Sequence, residues 1–291
     1  MSDDFPLDQS GARYDQWLAT QRKAGLLERE HLLPVLHVPV PNRPPALMCS
    51  RMELDDADGA ELERKATALE PWGSYVIQLT DGFQTGYRPL FERMVYRSHL
   101  ICNAVKELAG ASFAETTLLD MACNHGYFGL QCVFDGAKQA HGVDLREVNI
   151  AKAELLKAHF GIQNASFACG NAFDVSGQFD VVLNLGLLYH VTDPYVLMAK
   201  TYECCDKFAV VDTITHLAPV SAFIQRTNKD AAHHAEGRFA VEYHPTYRAL
   251  IDLMHAVGFR DLVEVQPVAS EGRAEHPLYE ACHRRCIVGF K

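Results

Sequence analysis

The sequence has no long apolar run, although 48% of its 291 residues are hydrophobic. Charged residues interrupt the hydrophobic stretches well before the roughly 18 residues that a transmembrane helix needs. The first ten residues, MSDDFPLDQS, also lack the basic and apolar regions of a secretory signal. We therefore expect a cytoplasmic protein without a membrane segment, folded as one large α/β domain or as one domain with a cap.

The sequence also has no excess of positive charge. Its formal net charge is -10 at pH 7, with 27 Lys and Arg residues against 37 Asp and Glu residues. Proteins that bind along a phosphate backbone usually carry a basic face or stripe. The bulk charge therefore argues against a nucleic-acid partner, although it is compatible with a local basic patch.

The nine cysteines do not form a pattern typical of disulfides or of zinc sites. An odd number without a secretion signal favours free thiols in a reducing compartment. Cys282 and Cys286 flank His283, but no second pair with zinc-ligand spacing accompanies them. The histidines in residues 217–244 likewise lack a carboxylate or cysteine spacing that would support a metal site. We therefore expect no metal.

Residues 1–110 are predicted to form an N-terminal helical extension, or cap. Apolar residues at helical spacing predict helices over 14–33, over 53–69 and over 89–110. Five prolines in 34–45 require an extended or turning segment between the first two helices. We expect the extension to cover the active site or to form a homodimer contact.

Residues 111–291 are predicted to form an α/β domain. Strands alternate with helices along this part of the chain, which is typical of a doubly wound, mostly parallel sheet with helices on both faces. The last two strands, DLVEVQPV and ACHRRCIVGF, have only a turn-like stretch between them. They therefore predict an antiparallel C-terminal edge hairpin on a Rossmann-like, seven-stranded sheet.

The first strand-to-helix turn of this domain is a candidate ligand site, because such sheets bind ligands at the carboxyl ends of their strands. Asp120 begins the turn. Ala122 and Gly126, together with the compact Cys123, let a ligand approach the backbone closely. Asp144 ends the next strand, where a carboxylate can accept hydrogen bonds from both hydroxyls of a ribose.

Two cofactor classes suit a ribose-binding acid: a dinucleotide and S-adenosyl-L-methionine. A dinucleotide site uses G-x-G-x-x-G, with a helix N-terminus facing the pyrophosphate. This turn contains only one glycine, and the carboxylate of Asp120 would repel a pyrophosphate but attract the ammonium of a methionyl group. S-adenosylmethionine is therefore favoured over NAD. The Walker loop and the G-x-S-x-G elbow are absent.

The turn DMACNHGYF, from Asp120 to Phe128, resembles motif I of class I methyltransferases, in particular the variant D-x-G-C-N-x-G-Y-F. After the fourth strand, NLGLLYH with Asp193 and Pro194 resembles the G-L-L-Y-H-x-x-D-P segment of the tRNA uridine carboxymethyltransferases and of many small-molecule methyltransferases. The resemblance covers about 116–291. It implies an S-adenosylmethionine-dependent methyltransferase.

The resemblance, together with the strand ends, implies a set of cofactor contacts. The positions are Asp120, Ala122, Cys123, Asn124, Gly126, Tyr127, Phe128, Asp144, Leu145, Asn171, Ala172, Phe173, Asn184, Leu185 and Gly186. Ala122 and Asn124 replace two glycines of motif I, and Asn171 replaces an acid of the adenine clamp. His125 is unusual in this motif; we expect a solvent-exposed loop residue, with contact to the substrate as the alternative.

Three residues after the fourth and fifth strands are candidates for catalysis. An oxygen or nitrogen acceptor needs a proton removed, and histidine suits that task near neutral pH. His190 and His216 are candidate bases, and Tyr189 is a candidate for directing its ring or hydroxyl at the methyl group. For each residue the alternative is a role in packing or in fixing the loop.

A long connection over 217–244 is predicted to be a substrate lid, because long loops inside compact domains are usually functional or mobile. Arg226, Arg238, Tyr243 and His244 are its candidate substrate contacts, and an arginine there could bind an acceptor carboxylate. The alternative is that these residues are solvated surface groups.

Trp72 and Tyr75 of the extension are further candidates for the acceptor pocket, although we favour a role in the core of the cap. The function that we expect is methyl transfer to a small molecule of specialised or amino-acid-derived metabolism. The first alternative is a tRNA-modifying carboxymethyltransferase, which would need basic residues for its carboxylated cofactor and for tRNA. The second is a catalytically dead methyltransferase fold that only binds. The acceptor atom is left open, because oxygen, nitrogen, sulfur and carbon acceptors share this scaffold.

Overall fold

A twisted sheet of eight strands organises the chain. The computed structural model describes residues 33–49, 54–73, 75–86, 88–218, 220–227, 241–268 and 275–291. The strands are β1 Val35–Val38, β2 Thr117–Met121, β3 Gln139–Asp144, β4 Ala165–Cys169, β5 Phe179–Leu185, β6 Cys205–Ile214, β7 Phe223–Thr227, β8 Val241–Pro245, β9 Asp261–Pro267 and β10 Arg284–Phe290. The order in the main sheet is β1-β9-β10-β6-β5-β2-β3-β4, and β7 pairs with β8 as a separate antiparallel ribbon.

The sheet is parallel except at β10, which runs antiparallel to both β6 and β9. This confirms the predicted doubly wound α/β fold with an antiparallel C-terminal hairpin. The central strand β2 lies between β3 and β5. The chain continues from β2 through β3 and β4 on one side and then crosses to β5 on the other side. A crevice at the carboxyl ends of such neighbours is where open α/β sheets bind ligands.

The sheet has eight strands rather than the predicted seven, because the extension contributes β1. Val35–Val38 pairs in parallel with β9, from Val35 opposite Glu264 to Val38 opposite Pro267. The β9–β10 hairpin was predicted to form the edge of the sheet. It does not, because β1 pairs with β9 and forms that edge itself. The strand is short because the prolines that follow, at 39 and 41, have no backbone N–H to donate to a neighbour.

Eight helices accompany the sheet in the described part of the chain. They are α1 Ala46–Cys49, α2 Asp56–Ala68, α3 Phe91–Ala109, α4 Tyr127–Phe134, α5 Glu147–His159, α6 Pro194–Glu203, α7 Tyr247–Val257 and α8 Pro277–Glu280. Helices α2 and α3 confirm two of the helices predicted for the extension. The helix predicted over 14–33 lies outside the described residues except for Leu33. Helix α8 occupies the stretch between β9 and β10 that was predicted to be only a turn.

Helix α3 fixes the extension to the α/β domain. Its buried face includes Val95, Leu100, Ile101 and Val105, which belong to the same hydrophobic core as Leu118 of β2. Burial of one such side chain stabilises a fold by about 1.5 to 3 kcal/mol. The helix ends at a glycine with φ 52°, a left-handed conformation that other residues rarely adopt. Its register brings one arginine to the carboxyl edge of the sheet, as described below.

The cysteines of the described residues are all free, and the adjacent Cys204 and Cys205 after α6 are buried. Within the same residues, no helix is long and apolar enough to cross a membrane.

A buried ion pair joins the hairpin to α7. Nη1 of Arg285 donates to Oε1 of Glu264 across 2.7 Å, and both side chains are 5% exposed. The other carboxylate oxygen accepts a hydrogen bond from the Tyr247 hydroxyl at 2.9 Å, and the guanidinium lies 4.0 Å from the centre of the Tyr247 ring. Both oxygens of Glu264 are thus paired, which offsets the cost of burying its charge.

We predict that Glu264→Gln lowers the free energy of unfolding by about 3 kcal/mol, because it leaves the Arg285 charge buried without its counter-charge. Urea denaturation measures the change. The matched control is Glu154→Gln, which removes the exposed partner of Lys157 and is expected to cost less than about 0.5 kcal/mol. Equal costs for the two variants would contradict the prediction.

Candidate cofactor and active site

A cavity of about 910 Å³ opens at the carboxyl ends of the central strands. Pockets of about 300 to 1,000 Å³ hold drug-sized ligands. The lining comes from the turn after β2, the ends of β3 and β4, the turn after β5, helix α3 and the C-terminal hairpin region. Its members include Tyr75, Arg93, Arg97, Asp120, Ala122, Cys123, Asn124, His125, Tyr127, Phe128, Asp144, Leu145, Asn149, Asn171, Ala172, Phe173, Leu185, Gly186, Tyr189, His190, His276 and Arg284.

The turn after β2 keeps the backbone shape of a glycine-rich loop although two glycines are replaced. Ala122 has φ 58° and Asn124 has φ 53°, both in the left-handed region that favours glycine. Asparagine tolerates this region comparatively well, whereas alanine adopts it at a cost of about 1 kcal/mol. The departures from motif I noted in the sequence therefore leave the loop geometry in place.

Gly126 does not line the cavity, contrary to the expectation that its small size lets a ligand approach. It has φ 75°, and a Cβ atom there would lie 2.5 Å from the Phe167 ring and 3.0 Å from the Cβ of Ala153. Glycine is needed at this position for packing between the turn, β4 and α5 and for the left-handed backbone.

Asp120 places a buried carboxylate in the cavity wall. The side chain is 2% exposed, and the Oδ2 atom has no hydrogen-bond partner among the described residues. Burial raises the pKa of Asp120 to about 7, although a hydrogen bond from the backbone of Gly129 acts in the opposite direction. A buried carboxylate with an unsatisfied oxygen is costly unless a donor or a positive charge approaches it. The site therefore fits a cationic ligand group.

Asp144 holds the neighbouring loops together at the end of β3. Its carboxylate accepts hydrogen bonds from the backbone N–H groups of Asn124 at 2.9 Å and Arg146 at 3.0 Å, and from Nδ2 of Asn149 at 3.0 Å. A carboxylate has about four acceptor sites, so it keeps capacity for a ligand hydroxyl. The sequence did not indicate this second task of organising the loop.

Apolar side chains line the cavity beside the ends of β3 and β4. Leu145 is 55% exposed there, next to Ala172 and Phe173 in the cavity lining. Asn171 caps the short 3-10 turn Ala172–Asp174 because its Oδ1 atom accepts a hydrogen bond from the N–H of Phe173 at 3.2 Å. The predicted use of that carbonyl for an adenine amino group would have to share it with this cap.

Asn184 lies in the core rather than in the cavity. It is 1% exposed, and its Nδ2 atom donates to Oγ1 of Thr201 in α6 across 3.0 Å. The following residues, Leu185 and Gly186, line the cavity because they lie at and just beyond the end of β5, whereas Asn184 does not line it. The predicted cofactor contact of its side chain is therefore wrong.

His125 is buried, and the expectation of a solvent-exposed loop residue was wrong. The side chain is 1% exposed, and its ring centre lies 5.3 Å from that of Tyr75 and 6.4 Å from that of Trp72. Burial lowers the pKa of His125 to about 3, so the imidazole is neutral at pH 7. The extension covers this loop, and a local pattern in the sequence cannot reveal such a cover.

The two aromatic candidates of the extension have different places. Tyr75 lines the cavity and stacks on Tyr127 with ring centres 4.7 Å apart. Trp72 does not line it, because the ring is 3% exposed and Nε1 donates to the carbonyl of Ala66 at 2.8 Å. Trp72 is thus core of the extension, which was the favoured alternative.

A buried cluster around Asp212 forms another wall of the cavity. Oδ1 of Asp212 accepts hydrogen bonds from Nε of Arg97 at 2.8 Å and from Nε of Arg284 at 2.9 Å, while Oδ2 accepts one from the Tyr279 hydroxyl. Arg97 also donates to the hydroxyl of Tyr75 at 2.7 Å. Burial raises the pKa of Asp212, but the two guanidiniums outweigh burial and hold it well below its usual range.

The cluster has one more positive than negative charge, and both arginines line the cavity. They approach Gly186 closely, where a Cβ atom would lie 3.2 Å from Nη2 of Arg284 and 3.5 Å from Nη2 of Arg97. The sequence analysis missed this cluster because its members come from four distant segments. The signal that could have indicated it is the pair Arg284 and Arg285, because two charged residues inside a predicted strand need buried partners.

Tyr189 and His190 lie in the cavity wall, in the 3-10 turn Leu188–His190 after β5. Their ring centres are 4.1 Å apart. Nδ1 of His190 lies 3.3 Å from Oε1 of Glu242 in β8, and Nε2 of His244 lies 2.8 Å from Oε2 of the same carboxylate. Glu242 was also missed, because the prediction for this segment concentrated on its basic residues.

The remaining candidates do not line the cavity. His216 forms an isolated parallel bridge with Thr246, and its N–H donates to the carbonyl of Pro245 at 2.8 Å. Arg226, Tyr243 and His244 lie on the β7–β8 ribbon, outside the cavity lining. Arg238 and residues 228–240 lie outside the described residues, so the lid stays a prediction. No group of three or more possible metal ligands was found in the described ranges.

A doubly wound sheet with carboxylates at the ends of β2 and β3, and without a dinucleotide glycine motif, defines a nucleoside-binding enzyme of the class I methyltransferase type. The family model described as a methyltransferase domain matches residues 94–264, more than half of the chain. The chain belongs to this methyltransferase family. The predictions of an enzyme, and of S-adenosylmethionine as its cofactor, are thereby confirmed.

Curated relatives with similar sequences are tRNA U34 carboxymethyltransferases. The protein of Dichelobacter nodosus is 31% identical over 109 residues, which are 36% of this chain and 35% of that protein. The protein of Wolinella succinogenes is 25% identical over 184 residues, 59% of this chain and 61% of that protein. The chain thus spans about a third to three fifths of the length of these relatives.

The crystal structure of the N-terminal domain of EvdMO1 with SAH bound has the same fold. It superposes with a TM-score of 0.61 and 19% identity over 80% of this chain and 97% of that domain.

We predict that Asp120→Asn changes how stability depends on pH in the cofactor-free protein. Because the folded-state pKa of about 7 exceeds the ordinary value of 3.8, the native state binds more protons than the unfolded state between these limits. The free energy of unfolding should therefore fall as pH rises from about 4 to about 7, by on the order of 3 kcal/mol from this group. Denaturant titrations from pH 4 to 8 should show this fall in the wild type and lose it in the variant. Parallel curves would contradict the assignment.

Proposed function

We propose that this enzyme transfers the methyl group of S-adenosylmethionine to a small-molecule acceptor bound in the same cavity. The observation that carries the proposal is that two chemically different sets of side chains line one cavity. The carboxylates of Asp120 and Asp144 form one set, and Tyr189, His190 and the arginines of the Asp212 cluster form the other. One space of about 910 Å³ therefore has room and polar groups for a donor and an acceptor.

For the donor, we propose that Asp144 accepts a hydrogen bond from a ribose hydroxyl and that Asp120 faces the methionyl ammonium. The spare acceptor capacity of Asp144 and the unsatisfied Oδ2 atom of Asp120 support these roles. Leu145, Ala172 and Phe173 offer apolar surface to the adenine ring. When bound, S-adenosylmethionine supplies the electrophilic methyl carbon, and the chain's task is to align the acceptor with it.

His190 is the proposed base for an acceptor that must lose a proton. It lines the cavity beside Tyr189, whereas the other candidate base, His216, does not. Tyr75 of the extension also lines the cavity and accepts a hydrogen bond from Arg97. The excess positive charge of Arg97 and Arg284 favours an acceptor that carries an acidic group, because guanidinium pairs well with carboxylate.

The second candidate function is carboxymethyl transfer to tRNA. Arg97 and Arg284 favour it, since a carboxylate on the donor could pair with the same guanidiniums, and the named curated relatives support it. The net charge of -10 is unfavourable for a tRNA-binding surface. The two candidates therefore differ in the donor as well as in the acceptor.

Calorimetric titration with S-adenosylhomocysteine tests the donor site, with NAD as the control ligand. We expect binding that strengthens between pH 6 and pH 7 and then levels off. The reason is that the ammonium lowers the pKa of Asp120 from about 7, so binding releases a proton at lower pH. Buffers with different ionisation enthalpies should reveal that proton. Binding of NAD in place of the homocysteine compound would overturn the cofactor assignment.

We expect Asp144→Ala to weaken binding at least about tenfold, since it removes charge-assisted hydrogen bonds to the ligand. Asn149→Ala is the matched control, because it removes a hydrogen bond that Asp144 accepts but keeps the carboxylate. An equal loss in both variants would mean that Asp144 acts only through the loop.

Product analysis by mass spectrometry distinguishes the two candidate functions. The enzyme is incubated with S-adenosylmethionine or with its carboxylated analogue, and with small acids, phenols, amines or total tRNA. Addition of one methyl group to a small molecule supports the first function. Addition of a carboxymethyl group to tRNA, with an affinity that falls steeply with salt, would replace it by the second.

A further inference from the structure

The ribbon strand β8 brings a buried carboxylate to the turn that carries His190. Glu242 is 13% exposed in its side chain, and each of its two oxygens is paired with a different imidazole. Oε1 lies 3.3 Å from Nδ1 of His190, and Oε2 lies 2.8 Å from Nε2 of His244. Of these two histidines only His190 lines the cavity. The carboxylate therefore connects the ribbon to one cavity residue.

We propose that Glu242 is a positioning residue that orients His190 and sets its tautomer, so that Nδ1 carries the proton and Nε2 the lone pair. The inference rests on the proposed function, in which His190 removes the acceptor proton. It assigns to the β7–β8 ribbon a role in catalysis that does not require contact between the ribbon and the acceptor.

Two features of the geometry, and the charge of the group, support this role. A carboxylate that loses most of its water is costly to bury unless each oxygen is compensated, and both oxygens of Glu242 are. His244 occupies Oε2, which leaves Oε1 for the His190 ring and restricts the carboxylate to one orientation. Burial raises the pKa of Glu242, but the two imidazoles outweigh burial and lower it to about 2, so the group is ionised at neutral pH.

The chemical step is balanced by the groups named. The acceptor oxygen or nitrogen forms a bond to the methyl carbon as the carbon–sulfur bond breaks, and the electron pair of that bond goes to sulfur. The acceptor proton passes to Nε2 of His190. The resulting imidazolium is stabilised by the negative charge of Glu242 at Nδ1, as a hydrogen-bonded carboxylate does for histidine bases in general.

Two other titratable side chains lie beside this contact. His244 of β8 pairs with the second oxygen of Glu242, and the ring centre of Tyr189 lies 4.1 Å from that of His190. Glu242 is the carboxylate that is in direct contact with the His190 ring.

The experiment compares the wild type with Glu242→Gln, which keeps the shape and removes the charge. Histidine NMR gives the tautomer of His190, whose signal is assigned by its loss in His190→Gln. We expect the Nδ1-protonated form to dominate in the wild type and to lose its dominance in Glu242→Gln. Glu154→Gln, an exposed loss of charge on α5, is the matched control and should leave the tautomer unchanged.

Activity provides the second readout. In Glu242→Gln, kcat should fall by about tenfold or more, because the His190 lone pair is no longer held towards the acceptor. Glu242→Asp, which keeps the carboxylate, should recover part of the lost kcat. S-adenosylhomocysteine affinity should stay at the wild-type value in both variants.

An unchanged His190 tautomer in Glu242→Gln would overturn the inference, whatever the activity. So would an equal loss of kcat in Glu242→Gln and Glu242→Asp, because that is the signature of a merely structural residue. Failure of the wild type to bind S-adenosylhomocysteine or to methylate any acceptor would instead overturn the proposed function. The NMR measurement still decides the contact between Glu242 and His190 in that case.

Discussion

The buried carboxylate of Asp212 is the interaction on which the arrangement of the active site depends. It lies at the carboxyl end of β6 and binds Arg97 of α3, Arg284 of β10 and Tyr279 of α8. A fully buried aspartate is costly unless its charge and its lone pairs are matched, and three side chains match them here. The same contacts attach the extension and the C-terminal hairpin to the carboxyl end of β6. A change at Asp212 would therefore affect the shape of the cavity as well as its charge.

The cavity lining carries charges of both signs, and this follows from where the strands stop. Asp120 and Asp144 end neighbouring parallel strands, whereas the arginines reach the site from α3 and the antiparallel β10. In a partly desolvated space such charges interact more strongly than in water. The carboxylates suit a ligand with cationic groups, and the arginines suit an acidic one. Ala122 and Asn124 keep the left-handed backbone of the turn after β2, so the replaced glycines do not alter its shape.

Much of the fold could be predicted because its determinants are local. The buried strands, the helices between them and the C-terminal hairpin follow from hydrophobic periodicity and from turn residues over a few positions. The eighth strand was missed because Val35–Val38 is too short and too close to prolines to be recognised without its partner β9. For the same reason the position of the hairpin within the sheet was misjudged.

The sequence alone determined the turn after β2 and its two carboxylates. Asp120 begins this turn and Asp144 ends the adjacent strand β3, so their proximity follows from the topology. Only the tertiary structure decided that His125 is buried under the extension, that Asn184 and Gly126 serve packing, and that Asp212 gathers two arginines. It also decided that Glu242 contacts His190, across more than fifty positions of the chain. Such contacts depend on how separate elements pack, and no periodicity within one element encodes them.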